Sequence, residues 1–167
     1  TLLALAGDDK ITEKLLAGYQ AGEKKFKVHL DGFNLLPYLT GAVKKSPRDS
    51  FIYCNDDQQL TALRYDNWKL VFLEQRVRGT LRVWAEPFVT LRIPKMFNLR
   101  TDPYERADVT SNTYYDWFLS HAFVAVPSQE FVAKFLMTFK DYPPRQKAAS
   151  FNLDEVMAKL QEGSGSK

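Results

Sequence analysis

The stretch "FIYCNDDQQLTALRYDNWKLVFLEQ", residues 51–75, constrains the fold of this chain more than any other feature. It contains short apolar runs, rich in β-branched and aromatic residues, that are separated by Asn and Asp at tight spacings. Such runs predict strands joined by hairpin turns, here at 51–54, 59–65 and 68–74. Sequential strands with short connections predict an antiparallel sheet that has one face covered.

The rest of the chain adds strands and helices to this sheet. Alternating or periodic side chains predict strands at 26–30, 80–86, 89–93 and 96–100, and helices at 11–21, at 112–122, from Ser128 onward, and from the capping pair Asn152 and Glu155 through Leu160. We therefore expect an α+β fold in which a small antiparallel sheet, with about four main strands, packs against C-terminal helices.

The helix that we expect Ser128 to cap carries an aromatic stripe. Phe131, Phe135 and Phe139 recur every four residues, with Val132 and Leu136 beside them. This spacing indicates a face that packs on the sheet. A lid or a dimer contact is the alternative interpretation, because aromatic helices also form interfaces.

Composition excludes several classes of protein. At 167 residues, 45% of them hydrophobic, the chain is the size of one domain with a real core. A net charge of +3, from 23 basic and 20 acidic residues, is too balanced to indicate nucleic-acid binding. No apolar run is long enough for a membrane span, and the single cysteine, Cys54, cannot form an internal disulfide.

The acidic residues between the first predicted strands are candidates for a metal or acid/base site. Asp56 and Asp57 follow one strand, and Asp66 and Asn67 follow the next. Asn and Asp also bond their own backbone and tolerate left-handed conformations, so hairpin turns recruit them. We interpret these residues as turn residues, and we interpret "TDPYE", which contains Asp102 and Glu105, in the same way.

Other reactive side chains do not form a catalytic group in the sequence. His29 and His121 are far apart in the chain, and packing or solvent exposure is expected for both. Cys54 ends an apolar strand, and we expect a buried, inert thiol there. No glycine-rich phosphate loop and no Gly-x-Ser-x-Gly motif is present.

Four motifs, in a fixed order, resemble the C-terminal part of bacterial type I arylsulfatases. They are "TLLALAG" (1–7), "DGFNLLPYLTG" (31–41), "ALRYDNWKLVF" (62–72) and "KMFNLRTDPYERADVT" (95–110). The resemblance implies the smaller C-terminal subdomain of an alkaline-phosphatase-like sulfatase. Residues 1–30 would be the end of the large α/β domain and the connection, 31–162 the subdomain, and 163–167 a flexible tail.

The resemblance also implies what this chain lacks. Type I sulfatases use a formylglycine made from cysteine in a Cys-x-Pro-x-Arg motif, and a calcium ion that binds the sulfate. Here Cys54 stands in "YCNDD", without that motif, so we expect no catalytic residue, metal ligand or cofactor in this chain. We expect both groups in a preceding domain of the same polypeptide, since the chain opens inside an apolar run. Periplasmic export of that parent enzyme is compatible with the resemblance.

The resemblance places residues 26–34 between the two domains, and implies that Lys27, His29 and Asn34 line the rim of the substrate cleft. Two other functions compete with that of a sulfatase subdomain. A free-standing module could bind an aromatic or glycan ligand on Tyr65, Trp68 and Trp84. A complete small hydrolase could use one of the histidines, but it needs a nucleophile beside a base.

Overall fold

A computed structural model describes residues 1–77, 79–154, 156 and 157 of the chain. The helices are α1 (Leu2–Leu5), α2 (Ile11–Ala17), α3 (Leu36–Leu39), α4 (Ala107–Thr110), α5 (Tyr114–Ser120) and α6 (Ala125–Asp141), with 3-10 helices at Leu81–Trp84 and Ala122–Val124. The strands are β1 (Tyr19–Ala21), β2 (Lys24–Phe26), β3 (Ser50–Cys54), β4 (Leu60–Tyr65), β5 (Trp68–Glu74) and β6 (Val89–Asn98).

The main sheet is antiparallel and follows chain order, β3-β4-β5-β6, beside a separate β1-β2 hairpin. Leu63 pairs with Leu70, which pairs with Met96, so the three side chains share one face. Leu63 and Met96 are fully buried, and Val124 from the helical part packs against Leu70 and Met96. The predicted α+β fold and its four-stranded sheet are confirmed.

The connection between β5 and β6 differs from the prediction. Residues 80–86 do not form a strand: Thr80 accepts a hydrogen bond from the Arg82 amide, and a 3-10 helix follows, with Trp84 86% exposed. Gln75 donates to the carbonyls of Val83 and Glu86, which holds this segment in a turned conformation instead of an extended one. The strands predicted at 89–93 and 96–100 are one strand, β6, with a register shift opposite Val71 and Leu73.

Helix α6 begins before the predicted cap. Its first residue is Ala125, and Ser128 is buried inside the first turn, where its hydroxyl donates to the Val124 carbonyl at 2.8 Å. The helix begins three residues before Ser128 because the 3-10 helix Ala122–Val124 leads directly into it. One residue of the aromatic stripe contacts the sheet, since the ring centres of Phe131 and Tyr65 lie 5.0 Å apart, whereas Leu136 beside it is 45% exposed.

The ends of the chain also depart from expectation. The strand predicted at 26–30 is wrong: the observed strand β2 ends at Phe26, which pairs with Tyr19 at the open end of a short hairpin. The helix predicted at 11–21 ends at Ala17, because Gly18 has a φ of +106° and β1 follows. Helix α1 ends before Gly7, whose φ of +93° suits glycine, and Leu2 and Leu5 are largely exposed although the run that contains them is apolar. Asp154 is helical, whereas Glu155, the predicted helix end at Leu160 and the tail 163–167 lie outside the described residues.

Candidate functional site

Lys27 and His29 line a cavity of about 310 Å³ at the C-terminal end of α6. His29 Nδ1 lies 3.1 Å from Asp31 Oδ1, and the His29 ring lies 5.9 Å from the ring of Tyr142. Arg145 donates to the Lys27 carbonyl at 3.2 Å, so the segment after α6 is held against the segment after β2. Tyr142 and Arg145 were not candidates from the sequence, because they lie in "DYPPRQK" (141–147), whose two prolines are typical of a break after a helix.

The chemistry of this cavity suits binding more than catalysis. Lys27 and Arg145 supply positive charge, which attracts anionic groups. Asp31 orients the His29 imidazole, and the ring of Tyr142 offers an apolar surface. Asp31 and Asp141 also line the cavity, which limits its net charge. Thr138 is the one serine, threonine or cysteine among the described residues that line it, and its hydroxyl donates to the Phe135 carbonyl at 2.7 Å. This hydroxyl is therefore engaged, and it is not poised beside His29 as the nucleophile of a hydrolase.

Asn34 lies at a different place. Its side-chain oxygen accepts from the Leu36 amide at 3.1 Å, which fixes the start of α3. Asn34 lines a second concavity with Thr1 and Phe33, and the Thr1 hydroxyl donates to the Phe33 carbonyl at 3.2 Å. The structure therefore brings Lys27 and His29 together but separates Asn34 from them.

Cys54 is exposed, so the expectation of a buried thiol is wrong. It lies at the end of β3, the edge strand, where no further strand covers it. Partial desolvation, and then the nearby Asp31 carboxylate, raise the pKa of the Cys54 thiol. The thiol is therefore protonated at neutral pH, which agrees with the predicted lack of nucleophilic reactivity.

The acidic residues of the turns shape the backbone. Asp66 has a φ of +50°, the left-handed conformation that Asp and Asn tolerate, and the Asn55 side chain accepts from the Gln59 amide at 2.8 Å. Asp57 has a role that the sequence did not indicate: its carboxylate accepts from the amide and the hydroxyl of Ser150, at 2.7 and 2.5 Å. Those bonds lower the pKa of Asp57.

Asp102 and Glu105 do not act as a catalytic pair. Asp102 accepts from the amides of Arg106 and Ala107, both at 2.8 Å, and so caps α4. Glu105 has a φ of +54° and binds Lys69 through both oxygens, at 2.7 and 2.8 Å. Both residues therefore stabilise the turn that the sequence predicted. Across the described ranges, no three His, Cys, Asp or Glu side chains are grouped closely enough to hold a metal ion.

The aromatic residues of the competing binding module do not form one surface. Trp68 stacks on Trp117 at 6.0 Å and Tyr65 packs on Phe131, whereas Trp84 lies in the 3-10 helix after β5 and is 86% exposed. His121 Nδ1 lies 2.7 Å from the Trp117 carbonyl, which only accepts, so Nδ1 carries the proton. His121 therefore cannot take a proton through Nδ1 from Ser120, 3.0 Å away.

Comparison with known proteins assigns the fold to a family. A family model for the C-terminal region of aryl-sulfatase matches residues 46–160. This match spans more than half of the sequence, and the chain belongs to that family. The predicted resemblance to a sulfatase C-terminal subdomain is thereby confirmed.

Solved structures give a further comparison. Seven chains match, among them the crystal structure of the PsFucS1 sulfatase from Pseudoalteromonas sp.. The two sequences are 25% identical, with a TM-score of 0.42, and the match covers 59% of this chain and 19% of that one. No curated protein matches the sequence. Within the described part of the chain, no helix combines the length and the apolar character that crossing a membrane requires.

Proposed function

We propose that this chain is the C-terminal subdomain of a sulfuric ester hydrolase, in which it completes the fold and forms one wall of the substrate cleft. The observation that carries the proposal is the family match over residues 46–160. The cavity at Lys27 and His29 supports the proposed role as a wall of the substrate cleft, because it offers positive charge beside an aromatic ring. An ester of sulfate presents that combination of an anion and an organic group.

The proposal assigns a partner to the apolar N-terminal segment. Leu2, Leu3 and Leu5 are exposed in this chain, and exposed leucines this close together are costly in water. In the proposed enzyme, residues 1–30 are the end and connection of a preceding catalytic domain, and that domain covers these leucines. Residues 31–162 form the subdomain itself.

The calcium ion and the formylglycine of type I sulfatases do not fit the described residues of this chain. Cys54 is followed by Asn55, Asp56 and Asp57 rather than by the Pro and Arg of the Cys-x-Pro-x-Arg motif, and its thiol is protonated. Among the turn acids, Asp66 adopts a left-handed backbone conformation and Asp57 is bonded to Ser150. We assign both groups to the preceding domain, and no step of the reaction to this chain.

The proposed wall is tested in the enzyme that includes the preceding domain. Lys27→Ala and His29→Ala are each expected to raise KM for an aryl sulfate about tenfold, with kcat little changed, because they remove uniform binding. Lys24→Ala, an exposed lysine of β2, is the matched control. Unchanged kinetic constants in both variants would show that this cavity is not part of the substrate cleft. The family assignment would be unaffected.

A further inference from the structure

We propose that a second cavity, at the open edge of the sheet, binds an oxyanion carried on a sugar ring. The cavity has a volume of about 520 Å³ and lies where β3 begins and β4 ends. It is lined by Arg48, Asp49, Ser50, Phe51, Tyr53, Arg64 and Asp66. None of these residues lines the cavity at Lys27 and His29, so the inference does not rest on the proposed cleft.

Arg48 is held in place by aromatic rings. Its guanidinium carbon lies 5.4 Å from the ring centre of Phe33 and 5.5 Å from that of Phe51. One terminal nitrogen is 3.5 Å from the Asp31 carbonyl. Stacking leaves the edges of a guanidinium group free to donate in its plane, which suits bidentate binding of sulfate or carboxylate.

Arg64 supplies a second guanidinium group from the neighbouring strand. Arg64 is the cross-strand partner of Phe51, and its Nε donates to the Asp66 carbonyl at 3.1 Å, which fixes the side chain. Among the residues that the structure describes, neither Arg48 nor Arg64 forms an ion pair. Both guanidinium groups therefore have donors available for a ligand.

The remaining lining residues favour a sugar over a simple anion. The rings of Phe51 and Tyr53 meet edge to face at 4.7 Å and form a side of the cavity on which a sugar ring can stack. Phe51 is 43% exposed although it lies in a strand. Asp49 and Asp66 offer carboxylates that accept hydrogen bonds from sugar hydroxyls.

These two acids also limit the charge that the cavity accepts. Two arginines and two aspartates line it, so it suits one oxyanion among several hydroxyls better than a densely charged polyanion. The rim is fixed, because the Asp66 amide donates to the Asp49 carbonyl at 2.8 Å. The ligand class is thus a sulfated or carboxylated oligosaccharide.

Calorimetry on the purified 167-residue chain tests this site with three probes. They are a chondroitin 6-sulfate tetrasaccharide, the unsulfated chondroitin tetrasaccharide and neutral maltotetraose. We expect the first or the second to bind and the third not to bind, and the stronger of the two identifies the oxyanion as sulfate or carboxylate. Arg48→Ala and Arg64→Ala should each weaken that binding at least about tenfold, since each removes a charge-assisted contact.

Arg48→Lys separates geometry from charge. It keeps the positive charge and the stem of the side chain but loses the planar guanidinium group that lies over the rings of Phe33 and Phe51. We expect it to fold normally and still to bind several-fold more weakly. Arg92→Ala, an exposed arginine of the opposite edge strand β6, is the matched control and should bind like the unmodified chain.

Three results would overturn the proposal. The folded chain could bind none of the probes at millimolar concentration, it could bind maltotetraose as well as the charged probes, or it could bind equally well when Arg48 or Arg64 is replaced. Because binding is measured on this chain alone, these outcomes are independent of the kinetic test of Lys27 and His29.

Discussion

Tyr114 connects the helical part of the molecule to the free edge of the sheet. Its hydroxyl donates to the Met96 carbonyl at 3.0 Å and accepts from the Met96 amide at 2.9 Å. Since β6 is an edge strand, these bonds occupy backbone groups that a further strand would otherwise pair. Burial raises the pKa of Tyr114, so the hydroxyl keeps its proton over the whole physiological range.

Tyr114→Phe should therefore destabilise the chain by about 1–3 kcal/mol, because it leaves the amide and carbonyl of Met96 buried without partners. Urea denaturation measures the change. Tyr115→Phe is the control, since Tyr115 is 71% exposed against 4% for Tyr114. If both variants unfold at the urea concentration of the unmodified chain, the bonds to Met96 do not stabilise the sheet edge.

Residue-scale roles were predictable where they are local. Asp66 could be assigned to a turn because its left-handed backbone conformation is a local property. The bonds from Asp57 to Ser150 span 93 residues, and Lys69 meets Glu105 across 36. Pairings at such separations depend on the tertiary fold, and no spacing in the sequence indicates them.

Helix α6 is the element whose stripe the sequence described best. Phe131 packs on Tyr65 of β4, and Phe135 meets Phe139 at 5.1 Å, while Met137 on the other face is 71% exposed. The four-residue spacing predicted this arrangement. It did not predict the start of the helix. Ser128 is not an N-cap, because its hydroxyl donates to the Val124 carbonyl one turn earlier and does not accept from a free amide at the helix start.

Phe135→Ala should lower the free energy of unfolding by about 3 kcal/mol, the low end of the range for core phenylalanines, because Phe135 is half-buried. Met137→Ala should change it by less than about 0.5 kcal/mol. Chemical denaturation gives both values, and sedimentation tests the alternative of a dimer contact. A loss under about 1 kcal/mol with abolished self-association would show that the stripe is an interface.

Strands were predicted correctly where turns and alternation agree. Between residues 50 and 74 both signals are present, and the strands lie within one residue of the prediction. At 80–86 only alternation was present, and the segment became a 3-10 helix whose turn is fixed by Gln75, which donates to the carbonyls of Val83 and Glu86. Alternation without turn signals at both ends was therefore not enough to predict a strand.

At the scale of the whole molecule, the motifs in order predicted the family more securely than any side chain predicted a site. Lys27 and His29 were indicated by the resemblance and do share a cavity. Arg145 reaches the same cavity from 118 residues further along the chain, and Asn34 lies elsewhere. The cavity of Arg48 and Arg64 was not foreseen, because two arginines 16 positions apart carry no periodic signal.

The central claim is that this chain is one part of a sulfuric ester hydrolase and depends on another part for chemistry. Turnover of 4-nitrophenyl sulfate by the purified 167-residue chain, with added calcium, tests it most directly. We expect no turnover above the buffer rate, because Cys54 lacks the required motif and the Thr138 hydroxyl in the cavity of His29 is bonded to the Phe135 carbonyl. Turnover that rises in proportion to the concentration of the chain, and disappears in His29→Ala, would contradict the claim.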